Sequence, residues 1–254
     1  VDEAKPFSPL LSLHHSGESF LHSQLFDFIR YAKAAGLKVG LTTNGTILEK
    51  DQMGILDTGI DTLNISMAGI DPSDYESVRS RDDFEKVKAG IKAIGAEKLK
   101  RGTSMNLMIN IIQTKQNSER IPAFKREFSA IPGVDKILVR RLMSWSDSVD
   151  VAGLRFSGMG QMLRRRAAHA YLTIKPHLLR KPICDSITSS AGILWDGTAV
   201  PCCLDFNGKL SLGNVNNTSI IEIWNGPKMA HLRKLHMSSE RVKTHPVCGP
   251  CMFQ

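Results

Sequence analysis

Hydrophobic and polar residues follow a repeating order along the first part of the chain, a short apolar run and then a longer amphipathic one. In residues 23–35 the apolar side chains recur every three or four positions, which predicts a helix that ends at Gly36. Asp71 followed by Pro72 predicts the start of another helix, because a carboxylate caps the first turn and proline fits its first position. Further helices are predicted at 48–57 and 121–128, and strands at 10–15, 38–42, 62–66, 105–112 and 136–140.

These strand–helix steps recur roughly every 25 to 40 residues, a spacing typical of parallel strands joined by helical crossovers. Right-handed crossovers build either a doubly wound sheet or a barrel, and the steps are too few for a complete eight-fold barrel. The sequence therefore predicts an α/β fold, with a partial (β/α) barrel over residues 1–150.

The regular order ends near residue 150. Residues 151–183 are predicted to be a connector that carries a helix near 161–171, and residues 184–254 a small C-terminal domain. Within that domain Ser219 and Glu222 form the capping-box pattern, which predicts one helix over 220–236.

Composition and charge change this picture little. The chain has 254 residues, 42% hydrophobic and 23% charged, which is typical of a globular protein and not of a disordered one. The net charge of +8 is spread along the sequence without an aromatic platform, so nucleic-acid binding is disfavoured. No apolar run reaches the length of a membrane span, and the first residues lack a signal-peptide pattern, so we expect a cytoplasmic protein.

All five cysteines lie in the C-terminal third of the chain. Cys248 and Cys251 form a C-x-x-C pair, while Cys184 and Cys202 flank residues 193–201, a segment that predicts a β-hairpin. Four thiolates brought together in this way suit either a tetrahedral zinc ion or an iron–sulfur cluster with four cysteine ligands. The fifth, Cys203, adjoins Cys202, and in an extended strand it would point to the opposite face.

Two groups of segments resemble radical S-adenosylmethionine (SAM) enzymes. Residues 11–22, 41–45 and 64–69 are similar to the core of these enzymes, with Ser-Gly-Glu-Ser at 16–19 in place of the usual Gly-Gly-Glu-Pro. Residues 195–205, 212–215 and 221–225, together with the four spaced cysteines, look like the SPASM or shorter twitch auxiliary-cluster domain. The resemblance implies a partial (β/α) barrel of the radical SAM type that binds S-adenosylmethionine. It also implies an auxiliary [4Fe-4S] cluster on Cys184, Cys202, Cys248 and Cys251, and so favours iron over zinc.

The motif C-x-x-x-C-x-x-C, which in this family holds the [4Fe-4S] cluster that cleaves SAM, does not occur in the sequence. The chain opens at what corresponds to the family's second strand. We therefore expect that the complete protein carries this second cluster on residues absent from this chain. The alternative is a degenerate relative that cannot cleave SAM.

The resemblance also implies roles for residues near the predicted strand ends. Gly17 and Glu18 would bind the amino group of the methionine moiety, since charge-assisted hydrogen bonds to an ammonium are strong. Ser66 and Thr43 would line the same site. The alternatives are a solvated loop acid at Glu18 and simple turn chemistry around Thr43.

The short auxiliary domain resembles that of enzymes acting on sugars and aminocyclitols in antibiotic biosynthesis, which include dehydrogenases and an aminoglycoside epimerase of the neomycin kind. Cys203 favours the epimerase, because a thiol S–H bond is weak enough to return a hydrogen atom to a substrate radical; a small buried apolar side chain is the alternative. A dehydrogenase that uses the auxiliary cluster, a peptide-modifying enzyme and a zinc-stabilised nucleic-acid-binding module stay open as well. The expected partners are a carbohydrate-like small molecule and an electron donor of the flavodoxin or ferredoxin type.

Overall fold

The computed structural model describes residues 1–48, 50–142, 152–156 and 159–252. The chain divides into two compact units, of which the first comprises Val1–Leu142 with Leu154–Phe156 and the second the rest of the chain. The domain boundaries near residues 150 and 183 that the sequence indicated stay predictions.

A five-stranded sheet forms the centre of the first unit, with the strands side by side in the order of the sequence. Every neighbouring pair is parallel, as helical crossovers require. All five predicted strands are present, and the α/β fold is confirmed. The strands are β1 Leu10–Ser12, β2 Lys38–Thr43, β3 Thr62–Ser66, β4 Asn106–Gln113 and β5 Lys136–Arg141.

The hydrophobic core of this unit lies on one face of the sheet. Leu63 and Ile65 of β3 and Ile109 of β4 are fully buried among the helices, whereas the alternate residues of both strands are half-buried or exposed. One face therefore packs on the helices and the other carries polar side chains. The helices are α1 Leu25–Ala34, α2 Pro72–Arg79, α3 Phe84–Arg101 and α4 Ile121–Ser129, with 3-10 turns at Ser19–Leu21 and Lys50–Thr58.

The start of α2 is as the sequence predicted, because the Asp71 side chain accepts the N–H of Asp74 at 2.9 Å. Two other features differ from the prediction. Residues 50–58 form a 3-10 helix where an α-helix was expected, and α3, which has 18 residues, was not identified as a separate helix. The sequence predicted the start of a helix at Asp71 and no second helix after it, whereas Ser80 adopts a left-handed conformation (φ 54°) that ends α2 before α3 begins.

An aspartate–lysine contact is repeated at two places in the sheet. Asp61, one residue before β3, accepts Lys33 Nζ at 2.6 Å and the N–H of Val39 at 2.7 Å on the same carboxylate oxygen. Desolvation raises the pKa of Asp61, but these two hydrogen bonds and the charges of Lys33 and Lys38 together outweigh it, and the net shift is downward.

Asp135, one residue before β5, repeats the arrangement. It accepts Lys98 Nζ and the N–H of Leu107, the latter at 2.6 Å. Each aspartate thus joins a lysine on a helix to the second residue of a neighbouring strand, and so fixes the position of the helix against that strand.

The second unit is built from short elements after one long helix, α5 Met159–Leu179, which lies where the sequence predicted a helix. The predicted hairpin is present as β6 Gly192–Ile193 and β7 Thr198–Val200, and β8 Gly213–Asn214 adds a third strand. Among the described helices, none combines the length and apolar character that crossing a membrane requires. The remaining helices are α6 Ser186–Ser189, α7 Ile220–Asn225, α8 Pro227–Leu235, α9 Ser239–Lys243 and α10 Cys248–Met252.

The prediction of one helix over 220–236 is half right. The capping box of Ser219 and Glu222 is present and starts α7. The helix then ends at Gly226, which is extended (ψ 167°), and α8 starts at Pro227. Proline has no N–H to continue the hydrogen-bond ladder and disfavours a helical conformation at the residue before it, so the chain breaks here into two helices.

Candidate functional site

Glu18 lies in the loop that follows β1, directly after Gly17, whose φ of 88° suits glycine. The Glu18 carboxylate caps the 3-10 turn through Oε1, which accepts the N–H of Phe20 at 3.2 Å. Its Oε2 accepts the N–H of Asn44 at 2.7 Å, at the end of β2. Glu18 is therefore held between the ends of two parallel strands, the edge at which such folds bind ligands.

The turn after β2 is organised by its own side chains. Thr43 Oγ1 accepts the N–H of Gly45 at 3.1 Å, and Asn44 Oδ1 accepts the N–H of Thr46 at 2.9 Å. Thr43 is buried on the helix side of the sheet, so its side chain supports this turn and does not face outward. Gly45 has a φ of 78°, and a Cβ there would lie 2.9 Å from Val87 Cγ1.

Ser66 ends β3 on the polar face of the sheet. The sheet register pairs Thr43 with Ile65, so Ser66 lies one residue beyond that pair, and its own partner on β4 is Asn110. The structure thus places Gly17 and Glu18 beyond the carboxyl end of β1 and Ser66 at the carboxyl end of β3, with the end of β2 between them.

Two asparagines on the polar face of the sheet were missed by the sequence analysis. Asn64 Nδ2 donates to Thr42 Oγ1 at 3.3 Å, but the buried Oδ1 atoms of Asn64 and Asn110 have no hydrogen-bond partner among the described residues. Buried polar atoms are usually paired, so these two acceptors mark a surface suited to a polar ligand. The signal in the sequence was the alternation of polar and apolar residues in β3, and a single asparagine within the apolar run of β4.

The five cysteines of the second unit form no disulfide, and they differ in exposure. Four of them are half-buried, whereas Cys203 is exposed. The pKa of Cys248 is raised to about 12 and that of Cys251 to about 11, mainly because burial desolvates both thiols. The half-buried four are Cys184, Cys202, Cys248 and Cys251.

These four thiols share one neighbourhood. After burial, the charges of the other three contribute to the raised pKa of Cys248, and the charges of Cys184 and Cys202 contribute to that of Cys251. Within the part of the chain that the structure describes, however, no three His, Cys, Asp or Glu side chains form a ready-made metal site. The thiols are grouped, but they do not lie as close together as the ligands of a bound metal do.

The chemistry of this group of thiols suits an iron–sulfur cluster. Burial raises the pKa of Cys202, but the backbone N–H groups of Leu204 and Asp205 donate to its sulfur and partly oppose that shift. N–H donors of this kind stabilise a thiolate and are among the features that tune iron–sulfur clusters. Four half-buried thiols with N–H donors at one of them therefore fit the cluster that the sequence predicted.

The segment around Cys202 is not the extended strand that the sequence analysis assumed. Strand β7 ends at Val200, and Cys202 and Cys203 follow in a bend and a turn, not in a strand. Strand alternation therefore cannot be the reason that the two side chains differ. Pro201 follows β7 directly and has no N–H for the ladder, which explains why the strand stops before the cysteines.

Side chains around the cysteines fix their backbone positions. His245 Nδ1 accepts the N–H groups of Val247 and Cys248, at 3.3 and 3.1 Å, and so holds the first turn of α10. Lys175, buried on α5, donates to Asp185 Oδ1 at 2.6 Å, next to Cys184. Asp205 is also buried and accepts the N–H groups of Lys209 and Leu210, so it shapes the loop after Cys203.

Each of the two units contains a segment that matches a known protein family. Residues 12–121 match the Radical SAM superfamily, and residues 184–252 match SPASM, an iron–sulfur cluster-binding domain. This chain is a radical SAM protein with a SPASM domain. The two domains imply [4Fe-4S] clusters and S-adenosylmethionine as cofactors, and the radical SAM superfamily indicates an enzyme.

Relatives of this radical SAM/SPASM chain cover most of its length. It is 25% identical to the tungsten-containing aldehyde ferredoxin oxidoreductase cofactor-modifying protein of Pyrococcus furiosus, over 100% of this chain and 77% of that protein. The solved structure of BtrN in complex with AdoMet and 2-DOIA aligns with a TM-score of 0.54 and 18% identity, over 98% of this chain and 75% of that one. That of anSMEcpe with bound AdoMet and a Cp18Cys peptide aligns with a TM-score of 0.59 and 13% identity, over 94% and 74%. At these identities the solved structures support the fold alone.

Proposed function

We propose that this chain is the core of a radical SAM enzyme that epimerises a carbon of a small, sugar-like or aminocyclitol substrate, as in the biosynthesis of aminoglycoside antibiotics. The observation that carries the proposal is the contrast among the cysteines, with four half-buried thiols and one exposed thiol at Cys203. The four suit a cluster, and a fifth thiol beside them is available for another task.

When bound, SAM and its own cluster supply a 5′-deoxyadenosyl radical, which takes a hydrogen atom from a substrate carbon. Gly17 and Glu18 then serve to bind the amino group of SAM, with the carboxylate already oriented by the N–H groups of Phe20 and Asn44. Ser66 lies at the neighbouring strand end and contributes a hydroxyl. Thr43 contributes only through the turn that it holds, because its side chain is buried.

Cys203 completes the epimerisation by giving its hydrogen atom to the substrate carbon. The S–H bond breaks and a C–H bond forms, which leaves a thiyl radical on Cys203. One electron from a flavodoxin- or ferredoxin-type donor and one proton from water restore the thiol. Because Cys203 is exposed, this regeneration does not require the side chain to leave a buried position.

A second candidate is modification of an enzyme cofactor, favoured by the match of the whole chain to the cofactor-modifying protein. The two candidates share hydrogen abstraction and differ in substrate. Oxidation of a substrate alcohol is the remaining outcome of the same radical, if an electron leaves the substrate before Cys203 returns a hydrogen atom. Peptide modification is supported less, since the relative that matches the whole chain is named for a cofactor and not for a peptide.

The cofactor content tests the class of enzyme. The complete protein is purified without oxygen, and iron, sulfide, zinc and the visible spectrum are measured. We expect about eight iron atoms per protein, four for each [4Fe-4S] cluster. The Cys184→Ala/Cys248→Ala variant should retain only the SAM-cleaving cluster, with about four iron atoms. Zinc without iron would overturn the proposal in favour of a zinc-stabilised module.

A substitution of Cys203 tests the reaction. Wild type, Cys203→Ala and Cys203→Ser are incubated with aminocyclitols and aminoglycosides in D₂O, and the products are analysed by mass spectrometry and NMR. The wild type should give an inverted carbon with one deuterium, since a thiol exchanges with solvent, and both variants should lose the epimer while still forming 5′-deoxyadenosine. Epimer formation at a normal rate in Cys203→Ala would remove Cys203 from the mechanism, and a product lighter by two hydrogens in the wild type would identify a dehydrogenase.

A further inference from the structure

His236 lies at the C-terminal end of α8 and is almost completely buried, with 1% of its surface exposed. Its backbone is fully used, since its N–H donates to Leu232 O at 3.1 Å and its carbonyl accepts the N–H of Ile183 at 2.9 Å. Its ring is not. Both Nδ1 and Nε2 are buried without a hydrogen-bond partner among the described residues.

Such a ring is unusual, because buried polar groups in folded proteins are paired and an unpaired one loses its hydration without compensation. Burial is the main cause that lowers the pKa of His236 to about 4, with a smaller contribution from His245. The ring is therefore neutral near pH 7 and carries one N–H donor and one acceptor nitrogen. We therefore expect an acceptor for that N–H in the working protein.

The position of His236 indicates which group this is. On α8 the buried residues Met229, Leu232 and His236 follow one another at intervals of three and four positions, so they lie on one face of the helix. Cys184 and Cys248 pack against the apolar cluster that includes Met229 and Leu232. The face that carries His236 thus contributes Met229 and Leu232 to the same small apolar cluster against which two of the four spaced cysteines pack.

The backbone contact strengthens this placement. The N–H that His236 O accepts belongs to Ile183, the residue before Cys184. His245, by contrast, already uses its Nδ1 to hold the backbone at Cys248. Of these two histidines near the cysteine segments, His236 is the buried one, and both of its ring nitrogens are unpaired among the described residues.

We infer that the ring N–H of His236 donates a hydrogen bond to a sulfur atom of the auxiliary [4Fe-4S] cluster held by the four spaced cysteines. The inference rests on the proposed ligation by those cysteines, and not on the reaction at Cys203. A hydrogen bond to a cluster sulfur stabilises the more negative, reduced cluster and raises its reduction potential. His236 is in this sense a positioning and tuning residue, without contact to the substrate.

The test is the midpoint potential of the auxiliary cluster in the complete, cluster-loaded protein, followed by EPR. The auxiliary signal is the one that added SAM leaves unchanged. His236→Leu should lower the potential by about 59 mV, a tenfold change for a one-electron couple, and His236→Gln should fall in between. His231→Asn, an exposed histidine on the same helix, is the matched control and should leave the potential unchanged. A His236→Leu protein with full iron content and an unchanged potential would overturn the inference.

A second measurement covers the case in which His236→Leu does not retain its cluster. The wild-type protein is labelled with ¹⁵N-histidine, and the reduced auxiliary cluster is examined by pulsed EPR. We expect a weak ¹⁵N coupling that is absent from His236→Gln. Absence of any histidine coupling in the wild type, or its persistence in His236→Gln, contradicts the inference. Neither measurement needs substrate, so both are independent of whether the enzyme is an epimerase.

Discussion

Glu18 Oε2 accepts the backbone N–H of Asn44 at 2.7 Å and so joins the loop after β1 to the end of β2. An ionised carboxylate has about four lone-pair sites on two oxygens, and the structure uses one site on each. One side chain can therefore hold the loop in place and still accept an ammonium group. The structural contact and the proposed binding of SAM are compatible, and they can be separated by substitution.

Glu18→Gln should weaken SAM binding by about tenfold and lower the free energy of unfolding by only about 1 kcal/mol, because the amide oxygen can keep the N–H of Asn44 and gives up that of Phe20. The amide keeps one acceptor oxygen, but it loses the charge that makes a hydrogen bond to an ammonium worth about 1.5–3 kcal/mol. Glu18→Ala should in addition lower the free energy of unfolding by about 1–3 kcal/mol, because the N–H of Asn44 loses its partner. Calorimetric SAM titration and thermal unfolding of the complete protein measure the two effects.

Glu76→Gln is the matched control, since Glu76 is an exposed acid on α2. It should leave both SAM affinity and thermal stability unchanged. If Glu18→Gln binds SAM as tightly as the wild type, Glu18 is a loop anchor alone.

The strands and their parallel arrangement could be predicted from the sequence because most of them are short, largely apolar runs next to turn-forming residues, such as Asn44, Asp61 and Asp135. The Asp71 cap and the box at Ser219 and Glu222 could be predicted for the same kind of reason, since each depends only on residues within one turn. Local chemistry decides these features, and the sequence carries it directly.

Features that depend on distant contacts could not be predicted in this way. Asn64 and Asn110 became candidates only when the sheet register placed them on one face with unpaired oxygens. His236 looked like any helical histidine until its burial on α8 was known. The division of 220–236 was in principle readable from Gly226 and Pro227, but the strong cap at Ser219 obscured it.

Asp135 and Lys98 should respond unequally to substitution. Asp135→Ala leaves the buried Lys98 ammonium with Gly133 O alone, at 3.0 Å, and should lower the free energy of unfolding by about 3 kcal/mol. Lys98→Met leaves Asp135 partly exposed to water and still bonded to the N–H of Leu107, and should cost about 1 kcal/mol.

Urea denaturation of the single variants, and of the double variant, measures this asymmetry. The double variant should be more stable than Asp135→Ala, because it no longer buries an unpaired charge. Lys100→Met, at an exposed lysine that pairs with Glu97 at 3.5 Å, is the control and should change stability by less than about 0.5 kcal/mol. Equal losses at Asp135 and Lys98 would show that the pair is not buried in solution.

In protein stripped of its clusters, Cys203 should react with iodoacetamide before the four spaced cysteines. Cys203 is exposed, whereas burial raises the pKa of Cys251 to about 11 and that of Cys248 to about 12. Since the thiolate is the reactive form, Cys251 should be labelled about a hundredfold and Cys248 about a thousandfold more slowly than an ordinary thiol at pH 7.5. Peptide mass spectrometry over time measures each rate, and Cys203→Ser should remove the fast phase alone. Labelling of Cys248 as fast as Cys203 would mean that the thiols are not grouped in the free protein.

The stability of the second unit should fall between pH 6.5 and pH 5 because of His236. Its pKa is lowered from 6.5 to about 4 by burial, so the unfolded chain takes up a proton in this window and the folded chain does not. The contribution of His236 is therefore fully present only well above pH 6.5 and is lost as pH falls, by about 2 kcal/mol at pH 5. Urea unfolding of cluster-free protein, followed by Trp224 emission after Trp145 and Trp195 are replaced by phenylalanine, measures this loss of stability.

His236→Leu should remove this part of the pH dependence, whereas His231→Asn, at an exposed histidine, should retain it. His245, whose pKa is also lowered, accounts for a remaining slope. An identical slope in wild type and His236→Leu would show that the His236 ring is hydrated, and that its buried, unpaired state does not exist in solution.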